Sequence, residues 1–208
     1  FVTSGCTLIT GKTIMAEQNK IMSENEVEYY RLGRFSVEVP KVIKQAAAKY
    51  IVVYAKIEEK PWQDKENHLS ERDNEWNIRL EKIKKIRPPI GVNDILIEEK
   101  DFSYQGTWSR GVAYRGDQMF EQVATWDVLI DTELVGVWFQ IEGTDDNREK
   151  LIDGINELVR SYRPPVKNIL NKVSIKDQPS FYLQYGAVDL PYKFREEVYT
   201  RFEGRPQD

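Results

Sequence analysis

Few side chains in this sequence could carry a reaction. His68 is its only histidine and Cys6 its only cysteine, so a serine or cysteine nucleophile has a single imidazole to serve as its base. His68 lies in Asn67-His68-Leu69-Ser70-Glu71, at the start of a charged stretch of helical period. An exposed imidazole is ordinary at such a place. No G-x-S-x-G elbow occurs, which argues against an α/β-hydrolase. One His and one Cys cannot assemble a His/Cys zinc site or an internal disulfide. Asp145-Asp146-Asn147 lacks the alternating oxygens and glycine turn of a calcium loop. Neither a metal nor a cofactor is expected, and no catalytic residue is assigned.

Three adjacent acid pairs, Asp145-Asp146, Glu98-Glu99 and Glu196-Glu197, could be considered for glycoside hydrolysis, whose two carboxyl groups must face each other across a substrate. The first pair falls at a helix start, where negative charge favours the dipole. The other two fall on strands, where neighbours point to opposite faces. The segment Gly5-Cys6-Thr7-Leu8-Ile9-Thr10-Gly11-Lys12-Thr13 imitates a phosphate-binding loop, but Cys6 stands where the first glycine belongs. Nucleotide binding is not expected. The five tryptophans, Trp62, Trp76, Trp108, Trp126 and Trp138, read as core or sheet packing; two or three of them exposed would mark an interface.

The elements that position these residues follow from hydrophobic period. Spacing around Ile14, Ile21 and Met22 predicts a short first helix. Residues 27–31 and 35–39 alternate about Gly33-Arg34 and end at Pro40, which predicts a hairpin. A third strand is predicted at 50–57. Residues 64–86 then carry Leu69, Trp76, Leu80 and Ile83 on one helical face, acids first and lysines last, with Asp64 as cap and Arg87-Pro88-Pro89 as stop. Four strands follow, at 94–103, 107–114, 119–130 and 133–142, with turns at Gly116-Asp117 and Asp131-Thr132. Connections this short make neighbours antiparallel. In the third of these strands Ala124, Trp126, Val128 and Ile130 form the more apolar face. A second amphipathic helix is predicted at 145–162, capped by Thr144 or Asp145 and built on Leu151, Ile155, Leu158 and Tyr162, before Arg163-Pro164-Pro165.

The resulting expectation is an α+β fold, an antiparallel β-meander sheet packed against two amphipathic helices. We divide the chain into an N-terminal segment at 1–24, the α+β domain at 25–165, and a stretch at 166–208 that is a linker followed by added strands or the start of a second domain. The chain has 208 residues, 40% hydrophobic and 31% charged, with a formal net charge of -4. This composition belongs to a folded globular protein. Both charge signs are interspersed, leaving no basic field to hold a phosphate backbone, so nucleic acid is not an expected partner.

Phe1-Val2-Thr3-Ser4-Gly5-Cys6 ends in small residues before the cysteine and resembles the end of a bacterial lipoprotein signal peptide, making Cys6 the lipidation candidate and a lipid anchor an expectation. Thr3 stands where Leu or another apolar residue is more usual. The plain alternative is a free thiol.

Three segments, together with the long charged helix at 64–86, carry a wider resemblance. Arg31-Leu32-Gly33-Arg34-Phe35-Ser36-Val37-Glu38-Val39-Pro40, the run Pro179-Ser180-Phe181-Tyr182-Leu183, and Glu196-Glu197-Val198-Tyr199-Thr200-Arg201-Phe202 followed by Gly204-Arg205-Pro206 resemble the Tle4-type immunity proteins of type VI secretion systems. In that family a G-R-[FY] strand ending in proline opens the amino-terminal domain, and a P-x-F segment, a charged strand and G-x-P open the carboxy-terminal one. Tyr182 and Leu183 stand where Cys and Gly commonly follow P-x-F. The resemblance implies a periplasmic, lipoprotein-like protein that binds and blocks a co-encoded phospholipase toxin, its residues of contact unassigned. The alternative is an envelope lipoprotein with a structural or assembly role.

Overall fold

The computed structural model describes residues 27–117, 119–164, 180–192 and 195–204. The predicted helix around Ile14, Ile21 and Met22, the loop-like segment at 5–13, Cys6 and Arg205-Pro206 lie outside them. The chain begins with a hairpin of β1 (Val27–Leu32) and β2 (Phe35–Pro40), paired from Leu32↔Phe35 to Val27↔Pro40. Strands β3 (Lys44–Val52) and β4 (Ala55–Pro61) precede helix α1 (His68–Lys84). The meander comprises β5 (Leu96–Asp101), β6 (Trp108–Tyr114), β7 (Val123–Asp131) and β8 (Val135–Thr144). After a single 3-10 turn at Asp145–Asn147 comes α2 (Arg148–Ser161). Short strands β9 (Tyr162–Arg163), β10 (Phe181–Tyr182) and β11 (Ala187–Val188) and a longer β12 (Glu196–Glu203) complete the described chain.

Among the described residues these strands make a seven-stranded sheet in the order β12-β3-β4-β8-β7-β6-β5, a three-stranded sheet β10-β11-β9, and the β1-β2 hairpin, with every pairing antiparallel. The fold is α+β, with its meander at one side of the large sheet. The helices occupy opposite faces. Ile155, Leu158 and Val159 of α2 bury against Trp126, Val128 and Ile130 of β7 and Val137 and Phe139 of β8. Trp76 and Ile83 of α1 bury against Val112, Leu129 and Trp138. The second face of β7 is therefore buried too, although Thr125 and Asp127 interrupt it. A half-polar strand face can be a core face when a helix supplies partners for its polar groups, and α1 does so.

Cation-π and ring stacking join α1 to the sheet. Trp76 stacks on Trp138 at 5.9 Å with 9° between the planes, the guanidinium of Arg79 lies 4.5 Å from the Trp138 centroid, and that of Arg72 lies 4.3 Å from Trp108. Such contacts contribute about 0.5–2 kcal/mol each. They explain why a helix with only two fully buried side chains stays seated.

Several boundaries differ from the sequence expectation. The strand expected at 50–57 is two strands, because Val53 and Tyr54 (φ 49° and 67°) form a two-residue turn with Val52 opposite Ala55. Two consecutive left-handed residues suit a hairpin turn, but a β-branched residue rarely adopts that conformation. The Val53 N–H bond to the Arg195 carbonyl (3.0 Å) helps hold it. Helix α1 starts at His68, not at 64. Asp64 instead accepts from the N–H groups of Glu66 (3.0 Å) and Asn67 (3.3 Å), closing a turn ahead of the helix. Leu69 on the expected apolar stripe is exposed, because α1 meets the sheet at Trp76 and Ile83 while its first turn is held by charge. Strand β7 starts at Val123, since Asp117 folds the preceding residues into a turn. Neither Thr144 nor Asp145 caps α2 by a side-chain bond, and Tyr162 leaves that helix to begin β9.

Candidate partner-binding groove

The motif segments, distant in sequence, meet in space. Gly33 turns the β1-β2 hairpin at φ +62° and exchanges backbone bonds with Tyr182: its N–H donates to the Tyr182 carbonyl at 2.9 Å, and the Tyr182 N–H returns a bond at 2.8 Å. Glycine is required there twice over. Its φ is left-handed, and a Cβ would stand 2.9 Å from Val198 Cγ2 and 3.1 Å from the Phe181 ring. The neighbouring Arg34 forms a two-pronged ion pair with Glu196, Nε to Oε2 at 2.8 Å and Nη2 to Oε1 at 2.6 Å, while Nη2 also donates to the Leu190 carbonyl. Arg31 lies 4.6 Å over the Tyr182 ring, and Tyr30 meets Phe202 edge to face at 5.2 Å. Hairpin, short sheet and β12 are thus clasped together.

Between them lies an open groove of about 580 Å³, walled by Leu32, Phe35, Val37, Phe181, Tyr192 and Val198. Alternation places Phe35, Val37 and Val39 on one face of β2; Val39 is buried, whereas Phe35 is 78% exposed. Tyr192 on the opposite lip is 68% exposed. The charged groups of the groove, Arg34 and Glu196, neutralise each other. A neutral, apolar, solvent-facing groove fits an apolar segment of another molecule.

The chemistry-bearing residues of the sequence are placed elsewhere. His68 is not the plainly exposed imidazole expected: its Nε2 stands 3.7 Å from Asp131 Oδ2, and its Nδ1 is 3.1 Å from the Lys65 carbonyl, with the side chain 19% exposed. Asp131 also accepts from Trp62 Nε1 (3.0 Å) and lies 3.6 Å from Arg72. This histidine helps tie the start of α1 to the end of β7. The acid pairs each separate. Asp145 pairs with Arg115 at 2.9 Å, Glu98 with Arg148, Glu99 with Arg110 at 2.5 Å, Glu196 with Arg34 and Glu197 with Arg195. Four tryptophans are buried and Trp108 is half-buried against α1, so all five belong to packing.

Two further carboxylates are desolvated, Asp127 in the core and Glu59 half-buried with its oxygens taken by donors of the chain. Asp127, whose pKa burial raises above the ordinary value, sits beneath α1 with Arg79 at 3.4 Å, Gln140 Nε2 donating at 3.0 Å and Tyr114 OH at 3.4 Å. Glu59 on β4 accepts from Tyr162 OH (3.0 Å) and from the backbone N–H groups of Tyr185 (2.8 Å) and Gly186 (2.9 Å); burial pushes its pKa up to about 7 in spite of these bonds. It joins the large sheet to the short one. A second cavity, of about 430 Å³, opens at the other end of the large sheet among Tyr104, Thr107, Leu134, Arg160 and Tyr162. Among the described residues no group of three or more His, Cys, Asp or Glu is placed to hold a metal.

Sequence reasoning assigned no contact residue. The available signal was the motif around Gly33-Arg34-Phe35, but its exposed aromatic becomes informative only when Phe181 and Val198 arrive beside it.

Comparison with known proteins adds fold. No family model matches the sequence and no curated protein matches it. A chain in the crystal structure of a Tle4-Tli4 complex superposes with a TM-score of 0.60 at 17% identity, over 81% of this chain and 52% of that one. The apo structure of the immunity protein TplEi of the type VI secretion system from Pseudomonas aeruginosa gives 0.63 at 16% identity, over 86% and 56%. The chain spans about half the length of the solved structures it matches. With the motif segments assembled as described, the chain has the fold of the Tle4-type immunity proteins of type VI secretion systems.

Proposed function

We propose that this chain is an immunity protein that binds a lipase-type effector of a type VI secretion system and blocks it in the periplasm, held at the membrane through Cys6. The observation behind this reading is the groove: three motif segments converge on an apolar, charge-neutral channel with exposed Phe35 and Tyr192 at its lips. A stoichiometric inhibitor needs a rigid, complementary surface and no reaction centre. The buried acids support that reading, because Asp127 and Glu59 are occupied by donors from the chain itself.

The test uses a purified lipase-type effector of a type VI secretion system. Titration calorimetry should give a one-to-one complex, and Phe35→Asp should weaken it by about ten- to a hundredfold. Because Phe35 is exposed in the free chain, its thermal midpoint should stay where it is. Unchanged affinity in Phe35→Asp would remove the groove from the interface.

A further inference from the structure

The registers place a row of loops along one end of the large sheet. There β12 begins at Glu196 opposite Val52, β3 turns into β4 at Val53-Tyr54, β8 ends at Thr144 opposite Val123, and Tyr114 at the end of β6 lies opposite Leu96. Tyr192 at the lip of the groove precedes β12 at this same end. The end also carries the connectors at 87–95 and 115–122, with Ile90 93% exposed and Met119 84% exposed, accompanied by Phe120 and Tyr54. At the opposite end the most exposed large apolar side chains are Leu69, Val42 and Tyr104, at 52%, 47% and 39%.

The two connectors are ordered presentations of these side chains. Asp117 Oδ1 accepts from the N–H groups of Met119 (2.7 Å) and Phe120 (3.3 Å), and the Phe120 carbonyl accepts from Val123 N–H at 3.1 Å. Pro88-Pro89 leads into a turn closed by Val92 N–H on the Pro89 carbonyl at 3.2 Å, with Gly91 at φ +89° and Ile90 at its corner. A Cβ on Gly91 would stand 3.9 Å from Glu121 Oε2, so the connectors lie side by side. Two turns fixed by their own hydrogen bonds hold apolar side chains in water, which lowers the ordering entropy that a binding event would have to overcome.

The surrounding charge identifies the occupant. Along 87–95, 115–122 and 145–147 the acids Asp94, Asp117, Glu121, Asp145 and Asp146 outnumber Arg87 and Arg115; Arg115 is already engaged by both carboxylate oxygens of Asp145, and the adjoining Arg148 and Arg195 are paired with Glu98 and Glu197. An anionic lipid surface would be repelled, whereas a protein surface bearing Lys and Arg would be attracted.

From this we infer that Ile90, Met119 and Phe120 form a second contact point, gripping a partner protein that offers an apolar recess bordered by basic side chains. The inference rests on the effector-binding reading and extends it: the effector is held at the groove and again at this corner.

Binding of a catalytically inactivated lipase-type effector tests it. Ile90→Glu/Met119→Glu should lose at least tenfold in affinity while keeping the wild-type melting curve. Asp94→Lys/Glu121→Lys should slow association several-fold at low salt and flatten its salt dependence. No binding by the wild-type chain would overturn the effector reading together with this inference. Full affinity in Ile90→Glu/Met119→Glu, with Phe35→Asp weakened, would overturn the second contact alone. Sedimentation of the wild type with phosphatidylglycerol vesicles, abolished by the same double substitution, would show lipid to be the occupant and overturn the choice of protein.

Discussion

Arg79→Met should destabilise the chain by about 3–5 kcal/mol at pH 8, the usual cost of stripping one partner from a buried ion pair. Asp127 is 1% exposed, and Arg79 is its nearest cation, at 3.4 Å. Burial already raises the Asp127 pKa, opposed first by Arg79 and then by Gln140 and Tyr114. Without the guanidinium, desolvation acts less opposed and the carboxyl takes up a proton more readily. A carboxyl whose folded pKa lies above its unfolded value loses stability as pH rises between the two. The penalty of Arg79→Met should therefore be largest at pH 8 and shrink toward pH 5. Urea denaturation of both proteins at the two pH values measures it. Methionine preserves much of the packing over Trp138, so the double substitution Arg79→Met/Asp127→Leu should recover most of the loss. A penalty that persists in the double variant, or does not vary with pH, would show that α1 is held by packing and not by this pair.

Glu59 gives the second large effect, with the same sign. Its pKa moves from an ordinary 4.5 to about 7 in the folded chain, and at about 1.4 kcal/mol per pKa unit the difference amounts to about 3 kcal/mol. Above pH 7 the folded state buries a charge that the unfolded chain leaves in water. As pH falls toward 4.5 the folded state binds a proton that the unfolded state does not, and stability rises. The geometry tolerates the neutral form, because Tyr162 OH can turn from donor to acceptor while Tyr185 N–H keeps its carboxyl oxygen. Between pH 8 and pH 5 the wild type should gain up to about 3 kcal/mol relative to Glu59→Gln, read as a difference in unfolding free energy. The glutamine NH2 must face one of the backbone N–H donors, so the variant should be less stable than wild type at pH 5. The slope is the quantity that tests the assignment. Parallel curves would mean that Glu59 is effectively solvated and does not tie the short sheet to β4.

The helices and the meander were legible in the sequence because each carries its own period: Ile155, Leu158 and Val159 recur at helical spacing, and apolar residues alternate along β7, which a short turn joins to β8. The β3-β4 corner was not legible, because Val53 and Tyr54 take a conformation that turn residues such as Gly or Asn would have announced. Asp127 falls on the less apolar face of an alternating strand; α1 arriving with Arg79 makes that face a core. Its partners Gln140 and Tyr114 lie on the neighbouring strands β8 and β6, so the network depends on register. The groove is still less local. The motif residues Gly33 and Arg34 were visible, but they meet Tyr182, Val198 and Glu196 from far along the chain, the Arg34–Glu196 pair spanning 162 positions, and no spacing rule encodes such contacts. His68 was read as an exposed surface imidazole; its approach to Asp131 needed the end of β7 beside the first turn of α1.

The proposed function is occlusion, in which this chain acts by covering another protein. The most direct measurement is hydrolysis of phospholipid by a lipase-type effector of a type VI secretion system while the purified chain is titrated in. The account predicts that activity falls in proportion and is extinguished near one equivalent. Hydrolysis undiminished at several-fold molar excess, with the effector otherwise active, would contradict it.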